Sequence, residues 1–399
     1  MPLTEKAAAV ILAAGFSSRM EAFKPLMDLD GCSVLGRVVD LYRAAGIADI
    51  RVVAGHRSGE IRTALAGHPV TVVDNTHYAS GMYSSVLAGV KALPRGIDAF
   101  FVHPVDIPLV RPHTLVRLLD AIGDDLPPVV YPVFDGQRGH PPLIRKEIES
   151  AILDHDGQGG LRALLNRFDA NAQEVPVADE GVLLDLDTPA DYKNLTARLE
   201  TGNLLTGAEC QALMHDVQGL PAAIVDHCRQ VARVSRTLAE AVNARGGSLD
   251  TGLIDAAARV HDVARLEKNH ALAGARLLEA MGFAAMAAVV ADHMEIQVNA
   301  NDHLDEAQIV HLADKLVAGR TVVDLNRRFD AKHEKYGHDP QVAKAIARRR
   351  QAAQDIQTKV ERAAGRRISQ LLAPFDENAD TADTNAHAEL PDKLDDTRL

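Results

Sequence analysis

AAAVILAAGFSSRM, residues 7–20, decides the fold. Its first six residues are small or apolar without interruption, which suits a strand buried on both faces. Small residues follow at once, then Ser17, Ser18 and Arg19, with Lys24 four positions past the end. A strand that opens through such a loop toward a helix lets backbone N–H groups approach phosphate oxygens, and the helix start favours negative charge. A plain glycine turn would explain Gly15 by itself. The hydroxyls and the two cations after it favour an anion site.

Working outward, short β-rich runs alternate with amphipathic helical patterns. DIRVVAG (49–55), VTVVDN (70–75), DAFFVHPVD (98–106) and PPVVYPVF (127–134) read as further buried parallel strands. VLGRVVDLYRAAG (34–46) and PHTLVRLLDAIG (112–123) read as the helices between them, the second with Pro at its start and Gly at its end. The pattern closes at LLDLDTPADYKNLTARLE (183–200), read as a strand turning into a helix. Such alternation predicts an α/β doubly wound, mostly parallel sheet. After about residue 200 strand-like runs stop, and Ala, Leu, Arg and His recur at helical spacing. The chain therefore divides into an α/β domain (1–200), a linker (201–219), an all-α domain (220–372) and a disordered acidic tail (373–399). That tail carries eight acids against Lys393 and Arg398.

A chain of 399 residues is too long for one ordinary core, which agrees with two domains. There is no Trp and aromatics are only 4%, so the cores must be aliphatic. No apolar run reaches the ~18 residues a membrane span needs. The net charge of −12 argues against a general nucleic-acid binder. Three scattered cysteines make no disulfide framework, and together with the absence of a signal-peptide pattern they predict a reducing, cytoplasmic setting.

Two acids are placed for metal chemistry in the first half. Asp106 follows a buried strand in HPVDIPLV, where open α/β sheets bind ligands. Asp187 in DLDTPADY is read at a similar strand end. A pair of carboxylates there can hold Mg²⁺ against nucleotide phosphates. The plainer readings are a turn-forming Asp before Pro108 and an N-cap for the helix at Pro189, with Thr188 as the competing cap.

These segments resemble the MobA-like nucleotidyltransferases over roughly residues 5–198. The matching stretches are LAAGFSSRM with Lys24, GMYSSVLAGV (81–90), HPVDIPLV (103–110), RGHPPLI (138–144), DGQGGLRALL (156–165) and DLDTPADY (185–192). The resemblance implies that Leu12, Ala13, Ala14, Gly15, Arg19 and Lys24 bind the nucleotide, with Ser84 and Ser85 near its base. It implies that Lys24, Asp106 and Arg19 are catalytic, with Mg²⁺ on Asp106 and Asp187. LAAG in the first loop looks like the cytidylyltransferase branch rather than the LAGG of the guanylyl branch, a bulkier Ala fitting a smaller pyrimidine. Glu21 departs from the family, which has Gly after Arg-Met.

In the second half, His227, the adjacent pair His261–Asp262 and Asp314 are spread over separate helical patterns, with His270 and His293 between them. Ligands from three helices can converge on a divalent ion in a bundle core. The chain has 17 His, so isolated His–Asp neighbours arise by chance, and His215–Asp216 and Asp302–His303 are given no role. The ordered set resembles the HD-domain phosphohydrolases from about 220 to 330. That implies His227, His261, Asp262 and Asp314 as metal ligands, with His270 and His293 adding a second ion bridged by Asp262. Mn²⁺, Fe²⁺, Co²⁺ or Ni²⁺ suits imidazole with carboxylate. The family's HD-x-x-K has Arg265 in place of Lys. Cys228 reads as a core residue pointing away from the site.

The combined expectation is a fused enzyme. It transfers CMP from CTP to the terminal phosphate of a molybdopterin acceptor, releases pyrophosphate, and carries a metal-dependent phosphohydrolase or regulatory domain. An apo-molybdoenzyme is a further expected partner. The alternatives are a sugar or polyol phosphate as acceptor, or a non-catalytic accessory protein that binds the cofactor.

Overall fold

The computed structural model describes residues 6–16, 20, 22–122, 127–299 and 302–376. The chain forms two compact units, Met1–Gly202 and Asn203–Leu399.

The first unit is built on strands β1 (Ala7–Leu12), β2 (Asp49–Ala54), β3 (Thr71–Asp74), β4 (Ala99–Pro104), β5 (Val129–Phe134), β6 (Gln137–Arg138), β7 (Leu143–Arg145) and β8 (Gln173–Pro176). They form one sheet in the order β3-β2-β1-β4-β7-β5-β6, with β8 beside β5. Its helices are α1 (Val34–Ala44), α2 (Ser58–Ala64), α3 (Met82–Lys91), α4 (Pro112–Ala121), α5 (Glu149–Asp154), α6 (Gly160–Leu165) and α7 (Pro189–Glu200). β1 is buried along its whole length, as its unbroken apolar run requires. It pairs in parallel with β2 on one side and β4 on the other, so that Leu12 lies opposite both Val53 and Pro104. The chain therefore reverses its direction of winding between β1 and β4, and the loops after those two strands flank the crevice where such sheets take ligands. Gly89 lets α3 lie against β1, since a Cβ there would collide with Val10.

The run at 127–134 is β5, which runs in the direction of β1 and β4 and pairs in parallel with β8, while the short antiparallel β7 stands between β4 and β5. Asp135 and Gly136, with φ of 50° and 70°, turn the chain back from β5 into β6. Asp-Gly between two strands is the sequence signal of that turn. The expectation that fails in this unit is the strand before α7. Residues 184–187 form no strand and are irregular. Leu186 N–H donates to the carbonyl of Asp106 at 2.7 Å, which ties this segment to the end of β4 without making it part of the sheet.

The second unit contains α8 (Gly207–Ala212), α9 (Ala222–Asn243), α10 (Thr251–Val260), α11 (His270–Ala280), α12 (Ala284–Ala291), α13 (Glu306–Leu316), a hairpin of β9 (Val317–Ala318) and β10 (Thr321–Val322), then α14 (Leu325–Tyr336), α15 (Pro340–Ala364) and α16 (Ile368–Asp376). α9 runs through the middle and buries Ile224, Val231, Val234 and Leu238 along one face. The stretch 201–219 is not the free linker expected. Thr206 and Glu209 form a reciprocal capping box at the start of α8, and Leu205, Cys210, Leu213 and Met214 are buried. Only residues 201–203 keep the exposed character of a connection. The acidic tail was expected from residue 373, but α16 continues to Asp376, and the rest of the tail lies outside the described residues. Among the described residues no helix is long and apolar enough to cross a membrane.

Candidate functional site

In the first unit the loop after β1 is held on both sides. Ala13 N–H donates to Val53 O at 2.9 Å, His56 N–H to Ala14 O at 3.2 Å, and Val105 N–H to Leu12 O at 3.2 Å. Gly15 has open space where a Cβ would stand, so the backbone there is accessible to a large anion. Arg19, with Ser17, Ser18 and Glu21, lies outside the described residues. Ala14 is not placed as its proposed base-sizing role requires. Its methyl belongs to the hydrophobic core and faces Gly55, whose own Cβ would come within 2.9 Å of it.

Lys24 begins the short turn Lys24–Leu26 and is 8% exposed. Its Nζ donates to Asp187 Oδ1 at 2.6 Å and lies 3.7 Å from Asp106 Oδ2. Three residues far apart in sequence thus meet at the crevice between β1 and β4. Thr188, not Asp187, caps α7, and the backbone N–H groups of both Asp187 and Thr188 donate to Asp191. Asp187 is therefore fixed by the cap without its side chain being used in it. Burial pushes the Asp106 carboxyl above the usual carboxylate range. Lys24 pulls it back, while Asp187 and Asp185 add to the rise. Asp185 was missed from sequence. The signal was its spacing, since positions i and i+2 of an extended segment point to one side. Crowded carboxylate oxygens with a single lysine between them are a hard-donor set that fits Mg²⁺.

Ser84 and Ser85 lie in the first turns of α3. Asn75 Nδ2 donates to both hydroxyls, at 2.9 and 3.0 Å. Ser84 in turn donates to the carbonyls of His77 and Gly81, so its hydroxyl is occupied in shaping the loop after β3. Beside the loop after β1, Phe16 is 54% exposed and packs on His56 and Tyr78, each ring centre 5.2 Å away. That aromatic cluster has no periodic signature and was not anticipated.

In the second unit six ligand-type side chains converge, all buried. His227 comes from α9, His261 and Asp262 from the turn that ends α10, His270 from the start of α11, His293 from the turn after α12 and Asp314 from α13. Backbone carbonyls fix three imidazoles. Nδ1–H of His227 donates to Gly319 O at 3.0 Å, that of His261 to Ala258 O at 2.8 Å and that of His293 to Val290 O at 2.7 Å. Each ring therefore turns a bare Nε2 inward, the arrangement that metal-binding histidines use. Gly319 reaches His227 from the β9–β10 turn with φ of 57°, a conformation that favours glycine.

The inward nitrogens face shared oxygens. His227 Nε2 is 3.2 Å from Asp314 Oδ1, and His261 Nε2 is 3.8 Å from the same atom. His270 Nε2 and His293 Nε2 lie 3.1 and 3.5 Å from Asp262 Oδ1, while Asp262 Oδ2 faces His261 at 3.7 Å. His261 Nε2 is fully buried without a hydrogen-bond partner. An unsatisfied buried acceptor costs about 1–3 kcal/mol, and a cation in that space removes the cost. Burial lowers the His261 pKa to about 4, so its lone pair stays available well below neutral pH. The donor chemistry and the orphaned nitrogen fit divalent ions on both sides of Asp262. Cys228 corrects the reading of a side chain turned away. It is buried, and its sulfur lies within 4.8 Å of ligand atoms of His261 and Asp262. His261 ends α10 rather than lying within it, so the pair can face inward together. Arg265 reaches His270 Nε2 at 3.3 Å and Asp262 Oδ1 at 3.6 Å. His215 and Asp216 contact each other on the surface, 2.6 Å apart.

A doubly wound sheet with a lysine set among carboxylates in its crevice, followed by a helical bundle around histidines and aspartates, is the arrangement of a nucleotidyltransferase-type domain joined to a helical domain with a candidate metal site. Residues 9–175 match the MobA-like NTP transferase domain and residues 224–319 match the HD domain, and the chain carries both. Over 184 residues it is 27% identical to the molybdenum cofactor cytidylyltransferase of Escherichia coli K12, covering 46% of this chain and 92% of that one. Over 130 residues it is 39% identical to the bifunctional IPC transferase and DIPP synthase of Rubrobacter xylanophilus, covering 30% and 28%. The chain spans roughly a third or less of the first curated relatives it matches. A nucleotidyl transferase structure from Methanothermobacter thermautotroptrophicus aligns at 26% identity with a TM-score of 0.43, covering 49% of this chain and 99% of that one.

Proposed function

We propose that the first unit transfers CMP from CTP to the terminal phosphate of a molybdopterin acceptor with release of pyrophosphate. The observation that carries it is the meeting of Lys24, Asp106 and Asp187 at the end of β4. The similarity to a molybdenum cofactor cytidylyltransferase over nearly that enzyme's whole length supports the choice of donor and acceptor. Asp106 and Asp187 would hold Mg²⁺, which supplies charge neutralisation at the phosphates. Lys24 keeps the two carboxylates from repelling each other and offers its own charge to the triphosphate. The loop that follows Leu12, Ala13 and Ala14 would offer its open backbone at Gly15 to the phosphates, with Arg19 following it in sequence. Ser84 and Ser85 shape the base side of the crevice through Asn75.

The second unit is read as a metal-dependent phosphohydrolase. His227, His261, Asp262 and Asp314, with His270 and His293, would hold divalent ions, which supply an activated water and a Lewis acid for a phosphate oxygen. The test of the first reading is pyrophosphate release from CTP with purified full chain, Mg²⁺ and molybdopterin. Release that requires molybdopterin supports it. Equal release with a sugar phosphate, or none with any acceptor, overturns it.

A further inference from the structure

We infer that Arg328, on α14, is a positioning residue for the ion that His227, His261 and Asp314 would hold. The inference rests on the metal reading above and adds to it a residue that acts on two of the ligands through backbone carbonyls. α13 ends at Leu316, two residues after Asp314. The last carbonyls of a helix lack partners within it and carry negative partial charge. Leu316 O accepts from Val323 N–H at 2.8 Å, beside the β9–β10 pairing. The carbonyls of Asp314 and Val317 both accept from Nη1 of Arg328, the first at 2.6 Å. One guanidinium nitrogen thus joins the backbone of a ligand to the first residue of the hairpin.

Each of those carbonyls leads to a different ligand. On the Asp314 side, Lys315 Nζ takes Oδ2 at 2.6 Å, while Oδ1 faces His227 and His261. Arg328 fixes the backbone from which that carboxylate hangs. On the Val317 side the chain runs on to Gly319, whose carbonyl accepts from His227 Nδ1 at 3.0 Å. That bond sets the direction of the bare Nε2, and the root of the hairpin sets where Gly319 stands. Metal ligands depend on such supporting contacts for their orientation.

α14 is built to hold Arg328 at this place. Asp324 caps its start, accepting from Arg327 N–H, so the helix begins two residues after β10. Leu325 and Phe329, one turn apart, are buried, and Arg328 lies on the face they anchor. Arg328 also borders the cavity that His227, Asp262 and Asp314 line. α14 lies past residue 319, where the match to the HD domain ends, so the centre draws on chain outside the matched segment.

The experiment titrates the metal-free full chain with Mn²⁺ alone and follows the free ion by its paramagnetic resonance signal, well below each variant's melting midpoint. With no substrate present, a role of Arg328 confined to substrate contact would leave the affinity unchanged. Arg328→Met should weaken the binding of an ion about tenfold or more, the lower end of what losing a supporting partner costs a metal site. Arg327→Met, on the neighbouring exposed residue, makes the same change of charge and should stay within threefold. Gly319→Ala strains the φ of 57° with no atom within 4 Å for the new methyl to strike. It should weaken binding threefold or more, which tests the route to His227 at constant charge. A smaller loss in Arg328→Met, or an equal loss in Arg327→Met, overturns the inference and leaves the metal site. Should Arg328→Met fail to fold, wild-type affinity in Gly319→Ala overturns it instead. No Mn²⁺ bound by the wild type removes the metal reading and this inference with it.

Discussion

Replacing Asp262 by Asn keeps the side chain's size and removes its charge. Asp262 is the sole carboxylate in the group it forms with His270 and His293, whereas His227 and His261 share a second carboxylate, Asp314. The substitution should therefore abolish the His270–His293 ion while leaving weaker binding at His227, His261 and Asp314. Loss of an outer-shell partner already weakens metal affinity 10–100-fold, so loss of a direct anionic ligand should weaken it at least ~100-fold, or about 2.8 kcal/mol. A ligand present at a hundred times its dissociation constant stabilises the folded state by about 2.7 kcal/mol, which for a unit of this size moves the melting midpoint by roughly 5–11 °C. The assay is metal content after desalting, with unfolding midpoints taken with and without chelator. Asp262→Asn should hold less metal, and its midpoint should respond less to chelator. Unchanged metal content and an unchanged chelator response would show that Asp262 does not hold the ions.

Asp106→Ala should lower nucleotidyl transfer by about 10²-fold or more with the fold intact, since charge stabilisation carries most of this chemistry; near-normal turnover would remove the metal role. CTP should outcompete GTP and ATP, and Ala14→Gly should shift preference toward GTP only through the loop's path, because the methyl faces Gly55; equal use of GTP by the wild type would refute the donor choice. In chelated protein His261, with a pKa lowered from 6.5 to about 4, contributes stability that is full above pH 6.5 and lost as pH falls toward 4. That amounts to up to about 3 kcal/mol, and His261→Gln should flatten the slope, while an unaltered slope would contradict it. Limited proteolysis should cut at residues 201–203, the exposed stretch between the two units, and spare α8; first cleavage inside either unit would argue against that boundary.

Local patterns made the parallel half of the sheet and the ordered histidines legible. β1 is an apolar run with a loop behind it, and both signals lie within a few residues. The second half of the sheet was harder. Its β7 is three residues long, too short to show a pattern, and the Asp135–Gly136 turn that sets β5 against β6 lies just past the run read at 127–134. The segment 201–219 looked like a linker because its polar residues are an N-cap signature, Thr206 with Glu209, for a helix too short to show periodicity. The ligands in the helical unit could be ordered from the sequence, but the sharing of Asp262 could not, because it depends on how α11 and the turn after α12 meet the end of α10, nor the approach of Cys228, which depends on how α9 passes that end.

His261 and Asp262 sit at the exit of α10, not along it. A helix turns 100° and rises 1.5 Å with every residue, so adding or deleting one residue anywhere in Thr251–Val260 would swing the pair away from His227 and Asp314. The connection before it carries no such phase; Asn243 ties its far end through two hydrogen bonds to Leu249, and the exposed turn at Arg245, Gly246 and Gly247 between them is where a change of length costs least. Length variants of this chain should therefore accumulate in 244–249 and be purged from α10, even where the inserted residue is an alanine that suits both helix and core.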